Sequence, residues 1–170
     1  MLSRLNLRGD EQILDLGTGR GAVLLMAAAF LPRGKATGVD IWKSSDQSGN
    51  ALPATQKNAE REGVAERIEL YTADMRQLPF ADNAFDLVLS SLAIHNIPAR
   101  EGRCKALDEA VRVLKPDGRL LIADIGQTRR YAQHLRELGM TNVTHHLLDW
   151  RFWYGAPWVM TKLVTATKPS

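Results

Sequence analysis

The chain has 170 residues, 45% of them hydrophobic and 24% charged, with a formal net charge of +3. That length accommodates one domain with a real core rather than two, and the basic residues are scattered, without the run that would mark a nucleic-acid partner. The single cysteine, Cys104, excludes an intrachain disulfide and a cysteine-rich zinc site, and suits a reducing, cytoplasmic compartment.

The opening MLSRLNLRGDEQ lacks the apolar core of a signal peptide. Gln12 to Gly21, QILDLGTGRG, reads as a short apolar strand with an acid at Asp15, followed by Gly17, Gly19 and Gly21. The longest apolar run, Ala22 to Leu31, predicts a buried helix stopped by Pro32 and Gly34, and it is too short to cross a bilayer. Lys35 to Asp40 is a second strand closing on an acid, and Ile41 to Leu52 is a polar loop. Pro53 suits the first turn of a helix reaching Glu62, with Gly63 as its stop.

Arg67 to Tyr71 alternates as a third strand, followed by Thr72, Ala73 and Asp74; Met75 to Asn83 is connection. Phe85 to Ser90 is a nearly continuous apolar strand, as expected inside a sheet covered on both faces. Arg100 to Leu114 has helical spacing at Leu107, Val111 and Leu114, with Pro116 and Gly118 as its stop. Arg119 to Ile125 is a fifth strand, Thr128 to Leu138 a helix stopped by Gly139, and Asn142 to Trp150 and Val159 to Thr167 are two last strands. This order predicts a single α/β domain over the whole chain: a doubly wound, mostly parallel, seven-stranded sheet with a C-terminal antiparallel edge hairpin. Ligands of such sheets bind outside the carboxyl ends of the strands.

Gly17-Thr18-Gly19-Arg20-Gly21-Ala22 fits two templates, the dinucleotide fingerprint G-x-G-x-x-G/A and D-x-G-x-G-x-G with Asp15. No Gly-Lys-Ser/Thr follows, which rules out a Walker-type phosphate loop at this turn. Glycines tolerate the turn and leave backbone N–H groups open at a helix start. Asp40 lies about twenty residues after the glycines, where an acid accepts hydrogen bonds from ribose hydroxyls. With Asp74 after the third strand, three acids line one edge of the sheet.

The set ILDLGTGRG, GVDIW, TADMRQLPF, FDLVLSSLAIHNI and RVLKPDGRLLIADI, in this order and over nearly the whole chain, resembles the class I S-adenosylmethionine-dependent methyltransferases. The resemblance implies a Rossmann-like fold and S-adenosyl-L-methionine as cofactor. It implies that the backbone of Gly17, Thr18, Gly19 and Gly21 holds the methionine end, with Asp15 near the amino group. Asp40 would take both ribose hydroxyls, Ile41 pack on the adenine face, Asp74 accept from the exocyclic amine and the Met75 backbone touch the ring edge. Ser90 and Ser91 would border the sulfonium, and Lys115-Pro116-Asp117-Gly118 would be the structural turn before the fifth strand.

The sulfonium already activates the methyl group, so a base matters only for an acceptor that must lose a proton. His95, in SSLAIHN, is the histidine placed to serve. His134, His145 and His146 lie elsewhere, and the adjacent pair should point to opposite faces, a poor metal site. Ser90-Ser91-Leu92-Ala93 replaces the (N/D)-P-P-(Y/F) signature of DNA and glutamine amino-methyltransferases, and one cysteine argues against arsenite methylation. The IHNIP stretch is similar to the small-molecule branch that includes quinone and lipid-type methyltransferases, which implies a small, apolar acceptor.

Two departures from the family pattern bear on the partners. Almost nothing precedes the first strand, so the acceptor cap is short or missing and an upstream segment is expected in the natural protein. The loop Trp42 to Leu52, with Asp46, Gln47 and Asn50, is longer than usual and is placed to cover part of the site. The run Trp150 to Trp158, WRFWYGAPW, is read as hairpin packing, an acceptor wall, a homodimer contact or a membrane-facing patch. An NAD(P)-dependent oxidoreductase stays open on the glycine turn and ribose acid alone, and a non-catalytic cofactor-binding module on the incomplete cap.

Overall fold

A computed structural model describes residues 5–43, 50–148 and 160–170. The aromatic run Trp150 to Trp158, the loop residues Asp46 and Gln47, and the ends of the last two expected strands that reach Trp150 and Val159 lie outside the described residues.

The strands are β1 (Gln12–Leu16), β2 (Lys35–Asp40), β3 (Ile68–Thr72), β4 (Phe85–Ser91), β5 (Leu114–Asp124), β6 (Thr141–Leu147) and β7 (Lys162–Thr167). The helices are α1 (Ala22–Ala29), α2 (Leu52–Arg61), α3 (Arg100–Val113) and α4 (Thr128–Glu137), with short 3₁₀ turns at Ala65–Arg67 and Ile94–Asn96. The seven strands form one sheet in the order β3-β2-β1-β4-β5-β7-β6. β1 to β5 run parallel, whereas β7 is antiparallel to both β5 and β6, so the two last strands close one edge as a hairpin. The order reverses direction between β1 and β4, where the carboxyl ends of the strands open a crevice.

Alternation along each strand sorts the side chains between two layers. Leu14, Leu16, Val88, Leu120 and Ile122 pack with Leu107, Ala110 and Val113 of α3 and Tyr131 and Leu135 of α4. Ile13, Leu87, Leu89 and Leu121 pack with Leu24, Leu25, Ala27 and Ala28 of α1 and Ala59 of α2. Burial on both faces explains the largely apolar character of β1 and β4. No described helix is long and apolar enough to cross a membrane.

Two expectations are corrected. α1 is not wholly buried: Met26 and Phe30, one turn apart, are 53% and 42% exposed. The stretch Leu114 to Gly118 is not the end of a helix followed by a turn. α3 stops at Val113, β5 begins at Leu114, and a register shift against β4 between Phe85 and Leu87 absorbs the irregular residues as a bulge. Asp117 adopts a φ of +61° there, and its N–H donates to the Lys168 carbonyl while Lys168 N–H donates back to Gly118. The Lys168 ammonium also donates to the carbonyls of Val111 and Leu114, satisfying groups at the end of α3 that a glycine cap would otherwise serve. Pro116 thus interrupts a ladder rather than ending a helix.

Candidate functional site

The crevice holds a cavity of about 300 Å³. Asp15, Gly17, Thr18 and Gly19 reach it from β1 and its turn, Asp40 and Ile41 from β2, Asp74 and Met75 after β3, and Ser91 from β4. The structure therefore brings most of the residues marked in the sequence to one place. Three are not on its wall. Gly21 sits at the start of α1, its N–H donating to the Thr18 carbonyl. Ser90 is buried and its hydroxyl donates to the Leu16 carbonyl, so it ties β4 to β1 rather than facing a ligand. His95 is displaced to one side, on the 3₁₀ turn whose neighbours Ala93 and Asn96 line the wall.

Gly17, Gly19 and Gly21 all take positive φ, at 75°, 55° and 89°. That conformation turns the chain sharply from β1 into α1. Gly17 also lies against the turn after β4, where an added Cβ would overlap that of Ala93 and touch the Met75 side chain. Gly17→Ala therefore combines a left-handed backbone penalty of about 1–2 kcal/mol with an overpacking cost of about 1–3 kcal/mol. The variant is expected to melt well below the wild type and to lose its ligand; an unchanged melting temperature would show that the cradle is loose.

α2 locks the turn from outside, a role the sequence did not suggest. The fully buried Thr55 donates to the Gly19 carbonyl at 2.7 Å, and Asn58 donates to the Arg20 carbonyl at 3.1 Å. The connection after Asp74 is likewise held by α3: Arg112 donates to the carbonyls of Leu78 and Phe80, and Glu109 accepts from Leu78 N–H.

The acids differ sharply in environment. Asp15 is buried, and desolvation raises its carboxyl to about 7, helped by the nearby Asp40 and opposed by the Thr18 hydroxyl and the Leu24 N–H. Asp40 is committed to its own backbone: Oδ2 accepts from Gly19 N–H at 2.8 Å, and Oδ1 from Trp42 N–H at 2.7 Å and the Asn50 amide at 3.2 Å. Asp74 is held below the usual carboxylate range, first by the hydrogen bonds of the Arg76 guanidinium, which spans both its oxygens at 3.0 Å from Nε. Any ligand amine at Asp74 competes with Arg76.

His95 Nδ1 lies 2.6 Å from Oδ1 of Asp124, and its backbone N–H donates to Oδ2 at 3.1 Å. Asp124 is fully buried at the end of β5 and also accepts from Ile125 N–H. The sequence reading passed over it, although an acid closing a fifth parallel strand follows the same logic as Asp15 and Asp40. His134 and His145 pair instead with Asp108 and Thr128.

A family model described as a methyltransferase domain matches residues 14–122. The chain is 33% identical over 127 residues to the ubiquinone/menaquinone biosynthesis C-methyltransferase of Roseobacter denitrificans, covering 75% of this chain and 47% of that protein. It is 32% identical over 144 residues to a sterol 4-C-methyltransferase of Caenorhabditis elegans, covering 85% of this chain and 39% of that one. The chain thus spans less than half the length of these relatives. Its backbone matches the crystal structure of an S-adenosylmethionine-dependent methyltransferase from Methanosarcina mazei with a TM-score of 0.77 at 18% identity, over 99% of this chain and 97% of the other, a likeness of fold.

Proposed function

The chain belongs to the class I S-adenosylmethionine-dependent methyltransferases, and from that premise we propose that it moves a methyl group from S-adenosyl-L-methionine to a small, apolar acceptor. The observation that carries the reading is the convergence of Asp15, Asp40, Asp74, the glycine turn and Ser91 on one cavity at the carboxyl ends of β1 to β4. The residues fit the cofactor: the glycine turn puts bare backbone on the cavity wall, and carboxylates suit a cationic ligand. The family match covers the glycine turn and the strand ends together, which removes the nicotinamide alternative.

When bound, the cofactor supplies a methyl group already activated on a sulfonium. The chain's own residues orient and enclose. Backbone groups of Gly17 and Gly19, with Asp15, hold the amino-acid end; Ile41, 45% exposed at the rim, offers apolar surface to a flat ring. Ala73, Met75, Leu92, Ala93, Ile97 and Pro98 give part of the remaining wall, beside the polar Arg76 and Asn96, an apolar character suited to the acceptor. The relatives' names, a quinone-pathway and a sterol C-methyltransferase, support the same acceptor class.

For an acceptor that loses a proton, His95 is the base. Asp124 accepts a hydrogen bond from Nδ1–H, which holds the ring in that tautomer and orientation. A lone cysteine supports a cytoplasmic setting. A membrane contact would have to run through the aromatic run or an upstream segment, and a homodimer contact through that same aromatic run.

Titration calorimetry tests the reading. Both S-adenosylmethionine and S-adenosylhomocysteine are expected to bind the folded protein at one site, and failure of both to bind would overturn it.

A further inference from the structure

Trp42 has no part in the reading above, yet it holds a backbone conformation that a large side chain rarely adopts. Its φ is +56°. That left-handed region suits glycine and short polar residues, and a bulky residue stays there only where its surroundings offset the strain. Trp42 stands two residues after Asp40, just beyond the end of β2. In this conformation its N–H turns back on the acid and donates to Oδ1 of Asp40 at 2.7 Å. Gly19 N–H donates to Oδ2 at 2.8 Å, so backbone groups from the turns after β1 and β2 grip the carboxylate at both oxygens.

The indole supplies the offset. Its Nε1–H donates to the Thr72 hydroxyl at 2.8 Å. Thr72 ends β3 and is the register partner of Asp40 across the parallel pair, and Ala73 N–H donates to the Asp40 carbonyl at 3.2 Å. Asp74 follows directly. One side chain thus ties the end of the strand that carries Asp40 to the end of the strand that leads into Asp74. Glycine would take the same φ at no cost but could not make this tie.

Building on the cofactor reading, we propose that Trp42 is a positioning residue for Asp40: its indole, anchored on Thr72, holds the left-handed turn whose N–H orients the Asp40 carboxylate at the cavity. Trp42 acts through Asp40, which lines the cavity, and leaves the role of that acid toward the ribose as assigned above. A carboxylate fixed before the ligand arrives loses less freedom on binding, and affinity rises by that amount.

The test separates the indole from the turn. Calorimetry with S-adenosylhomocysteine is run on the wild type, Trp42→Phe, Trp42→Gly, Thr72→Val, Thr72→Ser and the combined Trp42→Phe and Thr72→Val variant, each checked for folding by melting temperature; Thr72→Val carries the test if the Trp42 variants do not fold. Trp42→Phe and Thr72→Val are each expected to weaken binding about 3- to 10-fold, the scale of one neutral hydrogen bond. The combined variant should be no weaker than either alone, because both changes remove the same bond. Thr72→Ser keeps the hydroxyl and should bind like the wild type, whereas Trp42→Gly, relieved of strain but without the indole, should bind at least as poorly as Trp42→Phe. In NMR spectra the Trp42 backbone amide proton should move upfield in Thr72→Val as its bond to Asp40 loosens, a change that a tie without effect on Asp40 would not produce. Unchanged affinity in Trp42→Phe and Thr72→Val overturns the proposal, as do additive losses, no rescue by serine, wild-type affinity in Trp42→Gly or an unmoved Trp42 amide. Wild type that does not bind S-adenosylhomocysteine would instead overturn the cofactor reading beneath it.

Discussion

Replacing Asp15 by Asn is expected to stabilise the ligand-free protein at pH 8 while impairing the site. The buried carboxyl titrates near 7, first because burial disfavours its charge. Between the unfolded value of about 4 and 7, the folded chain retains a proton that the unfolded chain has released. Stability therefore falls as pH rises through that window, by about 1.4 kcal/mol per unit, and is level above it. The sign is opposite to that of a salt-bridged carboxylate. Asn keeps the size and an acceptor for Thr18 or Leu24 and carries no charge, so it should recover about 2–4 kcal/mol at pH 8. At roughly 2–4 °C per kcal/mol for a chain of this size, that is about 5–15 °C in melting temperature.

The same substitution should weaken S-adenosylmethionine by about 1.5–3 kcal/mol, as loss of a charged hydrogen-bond partner does. Wild-type affinity should also drop up to tenfold per pH unit below 7, because binding beside Asp15 requires its ionised form, whereas the variant should be flat. Thermal scans from pH 5 to 8, with and without cofactor, measure both effects. A variant no more stable than wild type at pH 8 would show that the buried charge is compensated. Stability surrendered to a functional charge is a common trade.

His95→Gln is expected to lower kcat by about 10²- to 10⁴-fold if the acceptor gives up a proton, the usual span of general-base catalysis. Cofactor affinity should be unchanged, because the cofactor is assigned to Asp15, Asp40, Asp74 and the glycine turn, whereas His95 lies beside Ala93 and Asn96 at the acceptor end of the cavity. The rising limb of the pH–rate profile in the wild type should vanish in the variant. Asp124→Asn should retain a histidine base but release its tautomer and orientation, giving a smaller fall in kcat and a displaced limb. The Asp124 carboxylate is fully buried against His95, so its replacement also calls for a melting-temperature control. A His95→Gln enzyme with wild-type kcat and the same profile would remove the base from the mechanism and imply an acceptor with no proton to lose.

The features legible in the sequence were those whose chemistry is local. The glycine turn announces itself because positive φ at Gly17, Gly19 and Gly21 can be met at low cost only by residues without a Cβ. Asp15 and Asp40 are legible because each closes a short apolar strand. Their roles were less legible than their positions. Nothing in SSLA distinguishes Ser90, turned into the sheet toward Leu16, from Ser91 on the cavity wall, beyond the alternation of a strand whose starting phase is set by its neighbours. Arg76 was missed because its pairing with Asp74 depends on how the chain turns after β3.

The order of strands and helices, the parallel sheet, the ligand edge and the methyltransferase resemblance were thus determined by the sequence itself, since periodicity and turn chemistry act over a few residues. Which acids remain available to a ligand was decided only by tertiary structure. Asn50 reaches Asp40 across the loop after β2, Thr55 reaches Gly19 from α2, and Asp124 reaches His95 from β5. Hydrogen bonds and burial of this kind join segments remote in the chain, and they set the environments of Asp15 and Asp40.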